Sequence, residues 1–164
     1  MKLGFVSDSL GNLPFEEVLD RATELGVSGV EVNTGGWSSA PHFDLAAMKS
    51  DAAARRRFAA AFADRGLDII SLNANGNPLH PAQPEQGECL KDTIRIAGEL
   101  GIRTVCAMSG LPAGREGDLM PNWVVALAPR NAGHPALSVG GKAAALLGRD
   151  RRSGARKRGG TDRP

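Results

Sequence analysis

Glu31 sits in the run Gly29-Val30-Glu31-Val32, and a carboxylate flanked by valines in a buried strand is costly unless it is paired or used. Near the carboxyl end of such a strand it can orient hydroxyl groups or support a metal shell. The plainer reading is a structural acid paired with a neighbouring Lys or Arg. His80, between Leu79 and Pro81, follows Asn75 and Asn77 in a polar loop. A loop histidine can face a ligand or a metal, or simply hydrogen-bond at the surface. Asn33 and Asn75 can bind hydroxyls, yet Asn is also the ordinary residue of turns with unusual backbone angles. These four are the candidate binding residues. They do not make a metal site by themselves, and no residue type here assigns a catalytic group.

A second tier of residues has stronger structural readings. His42 precedes a capped helix and reads as structural or as part of a rim. Trp37 and Trp123 can stack on the ring of a ligand, and packing explains them equally well. Asp8 and Ser109 fall on the strand-end side with no partner visible in sequence. Arg55-Arg56-Arg57 reads as a solvated helix face. Cys89 and Cys106 form no CxxC pair, so they read as reduced, buried thiols outside any disulfide framework or zinc knuckle.

The elements that must position these residues alternate between strand and helix. Lys2–Val6 reads as a first strand, and Phe15, Val18, Leu19, Ala22 and Leu25 form a helical stripe closed by Gly26. Val27–Val32 is a second strand, with Asn33 to Trp37 as its exit loop. Asp44 caps a second helix expected to run to Asp64, burying Phe58 and Phe62. Leu67–Leu72 is a third strand, followed by a loop from Asn73 to Pro81. A third helix carries Leu90, Thr93, Ile94, Ala97 and Leu100 on one face, and Arg103–Met108 is a fourth strand. Strict alternation predicts an α/β fold with a parallel sheet. The long polar loops all follow strands, which marks the strand carboxyl ends as the functional face. Four strands fit either half of an eight-stranded barrel or a small open sheet, and periodicity does not separate the two.

The pattern stops near Trp123 to Ala128. Residues 1–126 carry 11 Lys/Arg against 16 Asp/Glu, whereas residues 127–164 carry 9 against 2. The basic character of the whole chain therefore belongs to a Gly/Ala/Arg-rich tail, read as disordered. Ala143–Leu147 allows at most a turn or two of helix. The tail's residue types share GC-rich codons, so out-of-frame translation is favoured over a natural basic tail. The segmentation is thus 1–126 and 127–164. The opening residues lack a signal-peptide core and no apolar run reaches the roughly 18 residues of a membrane span, so a cytoplasmic location is expected.

Gly29-Val30-Glu31-Val32-Asn33, Pro41-His42-Phe43-Asp44, Asn75 to Pro81, Ser109-Gly110 and Pro121-Asn122-Trp123 resemble the sugar phosphate isomerase/epimerase group. Its members share the xylose isomerase-like TIM barrel with the AP endonuclease 2 superfamily. The resemblance spans about residues 1–125 and implies the N-terminal half of a TIM barrel, about four β/α units. It implies a sugar substrate and, in the complete fold, a divalent metal ion (Mn, Mg, Co or Zn) held mostly by residues of later strands. The metal would polarise a carbonyl while a carboxylate takes the adjacent C–H proton. His134, Asp150 and Asp162 lack a strand-end context, so the fragment is expected to bind no metal and to show little or no isomerase activity. Its open sheet edges suggest self-association. A nucleic-acid role is disfavoured because the part before the tail is net acidic, leaving only nonspecific contacts from the tail. A non-catalytic open-sheet binding module ranks last, because no strand is followed by GxGxxG.

Overall fold

The computed structural model of the chain describes residues 2–122. Trp123, His134, Ala143–Leu147, Asp150, Asp162 and the whole of the expected tail lie outside the described residues. Four strands, β1 (Gly4–Val6), β2 (Gly29–Gly35), β3 (Asp68–Ala74) and β4 (Val105–Ala107), alternate with helices α1 (Phe15–Glu24), α2 (Leu45–Ser50), α3 (Ala52–Ala63) and α4 (Pro84–Leu100). A short 3-10 turn, Ser7–Leu10, follows β1. The strands pair in parallel in the order β1-β2-β3-β4. Sequential parallel strands joined by helices, in the order β1-β2-β3-β4, make the N-terminal half of a TIM barrel, as the resemblance implies and the alternation alone left open. No helix of the described residues is long and apolar enough to cross a membrane.

Side chains alternate between the two faces of a strand, and here the faces divide by polarity. Val30, Val32 and Leu72 are fully buried, and with Phe5, Ile69 and Val105 they pack against Leu19, Phe58, Phe62 and Ile96 of the helices. Phe15, Phe43, Phe58 and Phe62 form the aromatic centre of that layer, with ring centroids 5.2–5.9 Å apart. The opposite face of the sheet, which lines the inside of a barrel, carries Glu31, Ser71, Asn73 and Cys106. Ile69 and Leu72 both face the helices although they are three residues apart. A register shift between Val30 and Glu31 accommodates this: Val30 pairs with Ile69 and Glu31 with Ser71, so Ile70 is the extra residue of a bulge.

Several boundaries differ from the sequence reading. The helix expected from Asp44 to Asp64 is two helices, because Asp51 is extended (φ −120°, ψ 107°) and its carboxylate accepts the Ala53 N–H at 2.6 Å. Asp44 does cap, accepting from Ala47 at 3.0 Å. Strand β2 starts later than Val27 and runs through Asn33 and Thr34, residues expected from sequence in its exit loop. The Val27 N–H is spent closing α1 on Ala22 O at 3.2 Å, while the Thr34 hydroxyl meets Thr93 of α4 at 2.7 Å. The buried face of α4 is Gln86, Cys89, Thr93, Ile96 and Ala97, and Ile94, expected inside, is 54% exposed. Ile96 rather than Ile94 continues the i, i+3, i+4 series through Thr93. Arg55 is no solvated residue either: it bonds Met48 O and reaches Glu99 at 2.8 Å, joining α3 to α4.

Candidate functional site

Three strands converge on one carboxylate. Register sets Val6 and Ser71 beside Glu31, and Asn73 beside both Asn33 and Cys106. Ser71 Oγ donates to Glu31 Oε2 at 2.5 Å, and Asn73 Nδ2 donates to Oε1 at 2.7 Å. The Cys106 thiol donates to Oε2 at 3.3 Å. Burial pushes the Glu31 pKa up, but the bonds from Ser71, Asn73 and Cys106 outweigh it and hold the carboxyl below its ordinary value. The same contact acts inversely on the thiol, since burial and then the Glu31 hydrogen bond raise the Cys106 pKa. At neutral pH the pair is an ionised acid and a protonated thiol. The bulge at Ile70 is what brings Ser71 to face the carboxylate while Leu72 stays in the core.

Loops at the strand carboxyl ends frame this cluster. Asn75 Oδ1 accepts the backbone N–H groups of Trp37 at 3.2 Å and Ser38 at 3.1 Å, so the β3 exit loop holds the β2 exit loop. Their backbones cross at Gly36 (φ +81°), where a Cβ would lie 2.5 Å from Gly76 N. Ser38 Oγ donates to Asp8 Oδ2 at 2.5 Å, extending the tie to the turn after β1. Buried Asn77 holds both Leu79 N (3.1 Å) and Leu111 N (2.8 Å) on its Oδ1, linking the exit loops of β3 and β4. Four buried side-chain atoms have no hydrogen-bond partner among the described residues: Ser7 Oγ, Asp8 Oδ1, Asn33 Oδ1 and His42 Nδ1.

The four candidate residues thus occupy different places. Glu31 is the centre of the cluster, and its partners are neutral donors, not Lys or Arg. Asn33 lies one side-chain level further along β2 on the same face, 4% exposed. Asn75 spends its carbonyl on loop backbone. His80 is in the β3 exit loop, where its Nδ1 accepts the Ala82 N–H at 3.1 Å, which leaves the ring proton on Nε2 in the neutral form. Of the second tier, His42 is 6% exposed with Nε2 3.0 Å from Leu13 O, in keeping with a structural role. Trp37 is half exposed at the mouth. A cavity of about 540 Å³, lined by Leu67, Asp68, Leu100 and Arg103 among others, lies at the amino ends of the strands, away from Glu31.

Residue types alone missed Ser71, Asn73 and Cys106 as the partners of Glu31. The available signal was the phase break in Ile69-Ile70-Ser71-Leu72-Asn73, which turns two polar residues to one face.

The sequence that builds this half-barrel has known relatives. Residues 19–128, more than half of the chain, match the family described as xylose isomerase-like TIM barrel. The chain belongs to that family. It is also 44% identical over 128 residues to "Uncharacterized protein YfiH" of Bacillus subtilis (strain 168). The match covers 76% of this chain and 40% of that relative, so this xylose isomerase-like chain spans about two-fifths of the relative's length. Metals are common in this fold, yet among the described residues no three His, Cys, Asp or Glu side chains come together as a metal-binding group. Glu31 already accepts three hydrogen bonds. The described residues around Glu31 do not fit a divalent-ion site.

Proposed function

We propose that the inner face around Glu31 binds a sugar or sugar derivative, as one part of an isomerase or epimerase site of the xylose isomerase-like kind. One observation carries the reading: the Glu31 carboxylate is held ionised on the barrel-lining face by three uncharged donors. A carboxylate offers about four lone-pair positions, and Ser71, Asn73 and Cys106 use three of them. The remaining position, on Oε1, is an acceptor for a ligand hydroxyl. Because no cation among the described residues pairs with Glu31, that hydrogen bond is charge-assisted and stronger than a neutral one. With its pKa held down, Glu31 acts as an acceptor that orients a hydroxyl and is poorly suited to donate a proton. Trp37 supplies a flat apolar surface at the mouth of the kind that stacks on a sugar face. Membership of the family supports the substrate class, and the isomerase chemistry of this reading draws on residues beyond the cluster.

The test is a titration of the 164-residue chain with D-xylose and D-fructose, followed by ligand-observed NMR. Glu31→Gln keeps one carbonyl oxygen and the shape of the site but removes the charge. It should weaken binding by about tenfold, the scale of one charge-assisted hydrogen bond. Equal binding by Glu31→Gln would rule out the carboxylate as the anchor.

A further inference from the structure

Resting on the sugar-binding reading above, we infer that Asp8 and Asn33 form a second acceptor subsite beside Glu31, one that takes an unphosphorylated, hydroxyl-bearing end of the ligand. Three observations place the pair. Val6 and Glu31 are register partners; Asn33 lies two residues further along β2, and Asp8 lies in the 3-10 turn that directly follows Val6. Asn33 shares the face of Glu31 by alternation and is only 4% exposed, yet no protein donor reaches its Oδ1. Asp8 is fixed by the Ser38 hydroxyl on one oxygen, while its other oxygen is buried and likewise without a donor.

Buried acceptors in native proteins are almost always satisfied, so the orphaned oxygens on β2 and on the turn after β1 call for donors from outside the described residues. Both oxygens are acceptors, Glu31 is a third, and the orphaned Ser7 hydroxyl next to Asp8 is neutral and can accept or donate. Such a group matches O–H donors and repels a phosphate, whose oxygens are acceptors with negative charge. The cations of the described residues do not offset this. Lys2, Lys49, Arg55 and Arg65 are engaged with Asp68, Asp92, Glu99 and Asp20. Arg21, Arg57, Lys91 and Arg95 pair with Glu24, Asp51, Glu88 and Asp92. Arg56 lies on α3, and Arg103 lines the cavity at the strand amino ends. Arg115, in the β4 exit loop, is 86% exposed and paired with Asp118. A polyol end with adjacent hydroxyls therefore fits over β1 and β2, and a phosphate group does not.

The experiment uses the 164-residue chain with D-fructose and D-fructose 6-phosphate as probes, again by ligand-observed NMR, with circular dichroism on every variant. The wild type should bind the free sugar, and Asp8→Asn and Asn33→Ala should each weaken it by about tenfold. Asp8→Asn keeps an oxygen for Ser38, so it preserves the loop tie if Asn33→Ala disturbs the strand. The phosphorylated sugar should bind wild type no more tightly than the free sugar, and Asp8→Asn should narrow any gap between them. If Glu31→Gln weakens the free sugar while Asp8→Asn and Asn33→Ala do not, ordered water satisfies the two oxygens; this inference fails and the sugar-binding reading stands. Tighter binding of the phosphorylated sugar overturns the inference as well. If wild type binds neither probe, both the inference and the reading beneath it fall.

Discussion

A carboxylate on a barrel-lining strand is usually neutralised by a base or protonated by burial, and Glu31 escapes both. Ser71, Asn73 and Cys106 stabilise the anion without cancelling its charge. Because its folded-state pKa is depressed below the ordinary 4.5, ionisation of Glu31 contributes stability that is fully present above that value. The contribution is lost as pH falls through the folded-state pKa. Urea melts of wild type and Glu31→Gln should therefore differ by a constant amount above about pH 5 and converge in stronger acid. A gap that stays flat to the acid limit would mean that the hydrogen bonds do not favour the anion. The same substitution reports on Cys106. Glu31 raises the thiol pKa, so removing the charge should speed alkylation of Cys106 at mildly alkaline pH, while buried Cys89 serves as the internal reference.

At the scale of elements, the site depends on a few places where the chain departs from regular structure. The bulge at Ile70 turns Ser71 toward Glu31, and the crossing of Gly36 over Gly76 holds the β2 and β3 exit loops together. Gly36→Ala would need a left-handed backbone at φ +81° and would drive a Cβ to 2.5 Å from Gly76 N. Since backbone cannot yield as a flexible side chain does, the substitution should cost on the order of 2–3 kcal/mol in chemical denaturation. Gly66→Ala, also at positive φ but with open space around it, should cost only about 1 kcal/mol. Similar losses in the two variants would show that the loop crossing contributes nothing. These irregularities also explain what the sequence could and could not reveal. The alternation of elements was legible because Gly26, Gly66 and Gly101 close helices and the valines and leucines of the strands are periodic. The Asp51 break was legible in principle, since Ser50-Asp51 before an alanine run is a helix start. Glu31 was visible as a costly acid, but its partners lie 40 to 75 residues away, and only the register of β3 and β4 identifies them.

At the scale of the whole molecule, the described sheet has two unpaired edges. A closed barrel of this kind has eight strands, whereas β1 and β4 are the outer strands of four. Apolar side chains lie exposed near both edges: Leu3, just before β1, is 60% exposed, and Ile94 of α4 and Met108, just after β4, are 54% and 38% exposed. In a complete barrel such residues meet the neighbouring β/α units on either side. Unpaired parallel edges beside exposed apolar groups favour association. Joining β4 of one copy to β1 of another would extend the same parallel pairing. The 164-residue chain should therefore self-associate with rising concentration across the micromolar range in light scattering. Ile94→Lys and Met108→Lys together should suppress that association, because each places a charge on apolar surface that the contact would bury. Both positions are exposed in the monomer, so circular dichroism should be unchanged. A wild-type chain that stays monomeric at every concentration, or a double variant that associates as strongly, would show that these edges are not the contact surface.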